Sequence, residues 1–299
     1  MTEEILKLKK EKNAVILAHN YQRPEIQDIA DFVGDSLELA IKAKQVKDAR
    51  IIVFCGVRFM AETAKILNPE KRVLLAAGDA GCPLADMADY PAVLELKAKH
   101  PDAKIVSYVN TTAMVKSITD VCCTSANAHV VVKNVPSDKI IFLPDKNLGY
   151  FVRKKVPGKE LIIWDGYCFV HRQFTLKDIE ESRRIHPDAE IVVHPECNPE
   201  VQENADFIMS TSGMLRRAKE SSKKTIIIGT EEGIIHRMKK ENPEKWFYCL
   251  GSARMCPNMK KTTLEKLKTT LEKEANEIIL SEEILQKARK SLEEMIKYT

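Results

Sequence analysis

Three stretches of this chain repeat one another. Residues 14–36 read AVILAHNYQRPEIQDIADFVGDS and residues 189–211 read AEIVVHPECNPEVQENADFIMST. At a shift of 175, Pro24, Glu25, Gln27, Ala30, Asp31 and Phe32 fall on Pro199, Glu200, Gln202, Ala205, Asp206 and Phe207. Between them, residues 103–125 (AKIVSYVNTTAMVKSITDVCCTS) match at a shift of 89, which carries His19, Asp31 and Ser36 onto Tyr108, Asp120 and Ser125. The second halves keep register too. Ile51, Ile52 and Val53 return as Ile226, Ile227 and Ile228, and Asn68-Pro69-Glu70-Lys71 returns as Asn242-Pro243-Glu244-Lys245. Each copy ends near a cysteine, Cys82, Cys168 or Cys256, at spacings of 86 and 88. Repeats of this kind are supersecondary units that cover their apolar faces against each other.

Within a unit, short apolar runs alternate with helical periodicity. Segments 15–18, 51–54 and 73–76 read as buried strands. Ile26, Ile29, Ala30 and Val33 lie on one helical face, with Pro24 in the first turn and Phe32-Val33 open to a short strand instead. Helices follow over 37–46 and 59–67, the latter stopped before Asn68-Pro69. Alternating strands and helices give parallel sheets covered on both faces. The expectation is an α/β fold: three pseudo-symmetric αβα repeats, over 1–84, 85–170 and 171–259, with short parallel sheets around a central active site. Segments 262–274 and 282–296 read as two more helices without counterparts, expected to pack back on the first repeat.

Charge excludes some partners. Lys and Arg number 47 against 43 Asp and Glu, interleaved, for a net +4. No basic stripe suited to nucleic acid stands out. No apolar run approaches the ~20 residues of a membrane span, and residues 1–12 form a Lys/Glu-rich amphipathic stretch rather than an apolar signal. A cytoplasmic setting is expected. Eight cysteines without a C-x-x-C pair then read as core residues, metal ligands or catalytic groups rather than disulfides.

Parallel sheets place sites beyond the carboxyl ends of their strands. The residues there are His19, Asn20 and Tyr21, then Tyr108 and Asn110, then His194 and Glu196. A hydroxyl follows 17 residues after the first of each set, at Ser36, Ser125 and Thr211. Before a helix such a residue is ordinarily an N-cap. Three helix starts meeting on one axis would also suit a ligand bearing carboxylates or phosphate. Cys82, Cys168 and Cys256 lie in loops beside Gly or Pro, and thiolates suit zinc or iron–sulfur centres. On a four-iron cluster, three cysteines leave one iron open to act as a Lewis acid. His171 is a candidate neighbour of that metal. Cys55, Cys122, Cys123, Cys197 and Cys249 do not recur and read as core or unassigned. His100, His129, His186 and His236 read as ordinary surface or loop residues, and Met60-Ala61-Glu62-Thr63 as core and surface pattern. Glu196 near Tyr21 would relay protons if burial raises its pKa.

These residues also carry a resemblance. Ala18-His19-Asn20-Tyr21-Gln22, Asp31-Phe32-Val33-Gly34-Asp35-Ser36, Gly56-Val57-Arg58-Phe59-Met60-Ala61-Glu62-Thr63-Ala64, Gly81-Cys82-Pro83-Leu84-Ala85-Asp86-Met87, Thr124-Ser125-Ala126-Asn127, Pro144-Asp145-Lys146-Asn147-Leu148, Cys168-Phe169-Val170-His171 and His194-Pro195-Glu196 resemble the quinolinate synthases, the A protein of NAD biosynthesis. The resemblance spans nearly the whole chain. It implies condensation of iminoaspartate with dihydroxyacetone phosphate to quinolinate, with loss of phosphate and two waters. It implies a [4Fe-4S] cluster on Cys82, Cys168 and Cys256 with one open iron. His19, Ser36, Ser125, Thr211, Tyr108, Asn110 and His194 would hold carboxylates and phosphate, and Tyr21 and Glu196, with His19 and Tyr108, would serve catalysis. Because the imine is unstable, transient contact with the enzyme that makes it is also expected. Departures from the family pattern are the bland stretch 76–80, Arg58 and the pair Cys122-Cys123. The extra cysteines that form a disulfide beside the third ligand in some members are lacking here, so no such redox switch is expected. The alternatives are an aconitase-like iron–sulfur dehydratase acting on another small acid, a cluster-based sensor, and a structural zinc site.

Overall fold

A computed structural model describes residues 1–46 and 48–298. Three sheets of four strands each are built in one pattern. The first joins β1 (Ala14–His19), β2 (Phe32–Gly34), β3 (Ile51–Cys55) and β4 (Arg72–Leu75) in the order β2-β1-β3-β4. The second joins β5 (Lys104–Tyr108), β6 (Val121–Cys123), β7 (Lys139–Leu143) and β8 (Glu160–Ile163) as β6-β5-β7-β8. The third joins β9 (Glu190–Val193), β10 (Phe207–Ile208), β11 (Thr225–Gly229) and β12 (Trp246–Cys249) as β10-β9-β11-β12. All these pairings are parallel. The sequence repeat is thus a repeat of strand order in space.

Helices make the crossovers. In the first unit they are α1 (Thr2–Glu11), α2 (Pro24–Ile29), α3 (Ser36–Gln45) and α4 (Arg58–Leu67). The second has α5 (Pro83–Met87), α6 (Tyr90–Lys99), α7 (Ala113–Lys116), α8 (Ala128–Asn134) and α9 (Lys146–Lys155). The third has α10 (Leu176–Ile185), α11 (Pro199–Asn204), α12 (Thr211–Glu220) and α13 (Ile234–Glu241), and the chain ends with α14 (Leu264–Lys273) and α15 (Glu282–Ile296). No described helix is long and apolar enough to cross a membrane.

Side chains alternate with the period of two that a strand imposes. Val15 and Leu17 of β1, Val106 of β5 and Val192 of β9 point into one common core, joined by Ile52, Phe54, Ile140, Phe142, Ile226 and Ile228. The intervening residues face outward into separate clusters: Ile16, Ile51 and Val53 in the first unit, Ile105, Ile141 and Leu143 in the second, Ile191, Val193 and Ile227 in the third. Each sheet is therefore buried on both faces, as parallel sheets require.

The residues that recur between copies turn out to pin this arrangement. Asp31, Asp120 and Asp206 each accept the backbone N–H of the residue 15 before, Ile16, Ile105 and Ile191, at 2.8 Å. Asp31 also donates its own N–H to Ile16 O at 2.9 Å. That bond draws Phe32-Val33-Gly34 into β2, so α2 stops at Ile29 and Val33 does not continue the helical face. Gln27 Nε2 donates to Asn20 O (3.1 Å), Gln22 O (2.9 Å) and, in the third unit, Gly233 O (2.8 Å). Gln202 Nε2 does the same to Pro195 O (2.8 Å), Cys197 O (2.7 Å) and, in the second unit, Asn147 O (3.2 Å). The equivalent residue of the second unit is Lys116, fully buried. Its ammonium donates to Val109 O at 2.7 Å and to Thr111 O, and lies 5.5 Å from the centre of the Phe59 ring of the first unit. One nitrogen per unit therefore ties down the loop after the first strand and reaches its neighbour.

The two terminal helices part ways. α14 packs on α1, in the first unit. α15 packs on α4 and also on β6 and α7 of the second unit, so the expectation that both return to the first repeat does not describe it. Its apolar stripe, Leu285, Ala288, Leu292 and Met295, is buried there, and Ser291 Oγ donates to Lys116 O at 3.0 Å. Between the helices, Asn276 O and Ile278 N pair with Leu75 N and Val73 O, covering the open edge of β4.

Candidate active site

The strand alternation aims the site. Val15, Leu17 and His19 share one parity, as do Val106 and Tyr108, and Val192, His194 and Glu196, so the residues at and just past the strand ends turn toward the common axis. There they line a small cavity between the units. Its wall includes His19, Tyr21, Ser36, Cys82, Tyr108, Asn110, Ser125, Cys168, His194, Glu196, Thr211 and Cys256, together with His171; Asn20, the other strand-end residue singled out from sequence, does not line it and instead accepts from Arg237 at 3.0 Å.

Backbone contacts set the two strand-end imidazoles. Tyr21 N–H donates to His19 Nδ1 at 3.1 Å, and Glu196 N–H donates to His194 Nδ1 at 3.3 Å. Nε2 is then the nitrogen that carries hydrogen in each neutral ring. Burial lowers the pKa of His19 to about 4 and that of His194 to about 3, so both are neutral donors at pH 7. His194 Nε2 lies 3.2 Å from Ser125 Oγ.

The recurring hydroxyls are not the caps that their positions suggest. α3 and α12 begin at Ser36 and Thr211, but the residue before each one does the capping: Asp35 Oδ1 accepts Glu38 N–H at 2.9 Å, and Ser210 Oγ accepts Gly213 N–H at 3.2 Å. α8 begins at Ala128, because Asn127 Oδ1 folds back to accept Thr124 N–H (2.8 Å), and Ser125 sits in the turn before it. Asn110 Oδ1, at the cavity wall, is buried without a hydrogen-bond partner. A ligand donor would satisfy it.

Glu196 departs from expectation. Burial by itself would raise its pKa, but the His171 imidazole and the Tyr108 hydroxyl beside it hold it below the ordinary carboxylate range. His171 Nδ1 is 2.8 Å from Glu196 Oε2. Glu196 is therefore a carboxylate at neutral pH, and the phenol it faces is Tyr108 rather than Tyr21. The Tyr21 hydroxyl instead meets Thr230 Oγ1 at 2.5 Å and Thr211 Oγ1 at 3.3 Å. Burial pushes both phenols well above their ordinary range, so they stay protonated.

The three cysteines share a local design. Cys82 precedes α5, Cys168 precedes a 3₁₀ turn at His171–Gln173, and Cys256 precedes one at Met259–Lys261. The backbone N–H groups three residues on, of Ala85, His171 and Met259, favour the thiolate of each sulfur. Burial raises all three pKa values, that of Cys82 to about 12, so these thiols ionise only when a metal displaces their protons. Two buried carboxylates, which the repeat comparison does not expose, brace the loops. Asp145 accepts Cys168 N–H at 3.0 Å and Leu148 N–H at 2.8 Å. Glu231 accepts Cys256 N–H at 3.1 Å and pairs with Lys260 at 2.9 Å. In the first unit the equivalent position is Val57. Glu62, read from sequence as part of a core and surface pattern, is buried and accepts Ala113 N–H of the second unit at 2.9 Å.

Known proteins match this chain throughout. The family described as Quinolinate synthetase A protein matches residues 3–297. The quinolinate synthase of Thermodesulfovibrio yellowstonii is 55% identical over 294 residues, covering 98% of this chain and 97% of that one. Those of Caldicellulosiruptor bescii and Aquifex aeolicus are each 52% identical, over 296 and 303 residues, covering 99% of this chain and 97% and 93% of theirs. With one cysteine, one ring-bearing strand end and one hydroxyl from each unit around a single cavity, the chain belongs to the quinolinate synthase family.

Proposed function

We propose that this protein condenses iminoaspartate with dihydroxyacetone phosphate to quinolinate, releasing phosphate and two waters, with a [4Fe-4S] cluster on Cys82, Cys168 and Cys256. The observation that carries the reading is that the three units each send one cysteine to the cavity that also holds the His19, Tyr108 and His194 side chains.

The sulfurs fit a cluster better than a single ion. One zinc at Zn–S distances of about 2.3 Å needs its sulfurs roughly 4 Å apart. Among the described residues, the group whose ligand atoms all lie within 4.8 Å of one another is Cys168, His171 and Glu196, not the three cysteines. When bound, such a cluster supplies an iron without a cysteine ligand, a Lewis acid toward substrate oxygen or nitrogen.

The chain's own residues do the rest. His19 and His194, neutral and donating from Nε2, suit substrate carboxylates, as do the hydroxyls of Ser36, Ser125 and Thr211 at or before helix starts. Asn110 offers an unmet acceptor to a substrate N–H or O–H. Glu196 is held as the anion, a weak base until bound substrate raises its pKa, with Tyr108 as the donor beside it and Tyr21 also on the cavity wall. Burial of both substrates between three units excludes water and fixes their approach. The free cysteines fit a reducing, cytoplasmic setting, and transient delivery of the unstable imine by the enzyme that makes it fits the same reading.

Anaerobically purified protein tests this. Expected are about four irons and four sulfides per chain, a brown spectrum, and quinolinate formed when both substrates are supplied. A colourless zinc protein would sink the cluster assignment. An intact cluster with no quinolinate would instead favour a dehydratase acting on another small acid.

A further inference from the structure

We infer that Thr230 is a positioning residue that couples the Tyr21 phenol to the His171–Glu196 pair. Thr230 is 1% exposed and does not line the cavity. Its Oγ1 lies 2.5 Å from the Tyr21 hydroxyl and 2.7 Å from His171 Nε2, and His171 Nδ1 lies 2.8 Å from Glu196 Oε2. Hydrogen-bonding contacts thus run from Tyr21, on the loop after β1, through Thr230 at the end of β11 to His171 Nε2, and the other nitrogen of that ring stands at ion-pair distance from Glu196, outside hydrogen-bond geometry.

The chemistry of a hydroxyl makes Thr230 more than a spacer. It has one hydrogen to give. Tyr21 and His171 are the partners its oxygen meets. In a buried place the hydrogen is not left unspent, so it goes to one partner and the other donates to Thr230. Tyr21 and His171 therefore take opposite roles toward it, and a change of role at one end requires a change at the other. Thr211, at 3.3 Å, touches Tyr21 alone and cannot carry this link. The fold does not ask for a hydroxyl here. By strand register, in which Phe54, Phe142 and Ile228 stand beside Leu17, Val106 and Val192, a shift of 174 rather than 175 for the first unit, the equivalent positions in the other two units are Gly56 and Pro144, each just before the residue matching Glu231. The hydroxyl occurs in the unit whose strand end faces Tyr21.

The functional part of this inference rests on the proton-transfer role proposed above for Tyr21. Thr230→Val keeps the shape and removes the hydroxyl, and Thr230→Ser keeps the hydroxyl. Thr230→Val is expected to lower kcat roughly tenfold or more, with KM for both substrates and iron per chain unchanged. Thr230→Ser should restore most of the rate. In a Tyr21→Phe background Thr230→Val should add little, because the two act as a unit. A Val variant with wild-type kcat, a Ser variant as slow as Val, or a full additional loss in the Tyr21→Phe background would each overturn the inference. A second readout does not depend on turnover. The tyrosine Raman doublet, taken as the difference between a protein and its Tyr21→Phe counterpart, reports whether the phenol donates or accepts. It should change in Thr230→Val and not in Thr230→Ser. If wild-type protein makes no quinolinate, the proposed function fails while this spectrum still decides the coupling, and an unchanged doublet in Thr230→Val overturns it.

Discussion

At Glu196 three rings converge on one carboxylate: the imidazoles of His171 and His194, and the Tyr108 phenol. Such a group is held as the anion and is a weak base, which takes a proton only once bound substrate raises its pKa. Glu196→Gln keeps the shape and the backbone N–H that fixes His194, but removes the charge. We expect kcat to fall about 10²-fold or more while iron content stays at the wild-type level, and turnover near wild type would remove Glu196 from proton transfer. The neighbouring histidines make a prediction about stability. The pKa of folded His19 is about 4 and that of folded His194 about 3, against an ordinary 6.5. Between those values and 6.5 the unfolded chain binds protons that the fold refuses. The contribution is complete above pH 6.5 and is lost as pH falls, on the order of 2 kcal/mol per histidine between pH 7 and pH 5. Urea unfolding across that range should show the drop, and His194→Asn should flatten its slope. An unchanged slope would mean that His194 is not held neutral. Residues of this kind were readable from sequence because they recur. Thr230 was not, since in the other two copies its place is taken by Gly56 and Pro144.

Elements show where pattern and chemistry diverge. Gln27 and Gln202 match across copies, and the structure explains why: each closes the loop after its first strand onto two of its carbonyls. Lys116 does the same work with a different side chain, so the match was invisible as letters. The aspartates that fix strand register were visible, but their role was not, because a register pin acts through a backbone N–H with no pattern of its own. The same holds for the ends of α8 and α2, which Asn127 and Asp31 decide by bending back on the chain. Lys116 gives a direct test. Replacing it with Gln installs the residue that its two sister units use, whereas Met keeps length without donors. Lys116→Met leaves Val109 O and Thr111 O unpaired in the interior, at a cost of about 1–3 kcal/mol each. We expect Lys116→Met to lose several kcal/mol and to loosen Asn110, raising KM. Lys116→Gln should recover part of both. Equal loss in the two variants, read by thermal unfolding and by KM, would show that the charge matters and not the shared bonding.

The whole molecule is three sheets around one core, and that arrangement decides how it comes apart. The inner faces of all three sheets contribute to a single buried cluster, while each outer face has its own smaller one. No unit can leave without exposing the inner faces of the other two. Buried polar links reinforce this at each boundary: Gln27 to Gly233 O, Gln202 to Asn147 O, and Glu62 to Ala113 N–H. α15 adds a further tie, since its buried Leu292 lies in the shared core and its helix touches both first and second units. A repeat protein stacked in a line can lose terminal units one at a time. A closed ring of three with a common core should not. Unfolding of the metal-free chain is therefore expected as one transition. Trp164, in the second unit, donates to Met87 O at 3.0 Å and reports locally, so in a Trp246→Phe background its fluorescence follows one unit while far-UV circular dichroism follows all three. The two midpoints should coincide in wild type. Leu292→Ala should shift both together by the ~2–5 kcal/mol of a large-to-small core change. If Trp164 reported a separate midpoint, the second unit would have a stability of its own, and the shared core would not be what holds the active site closed.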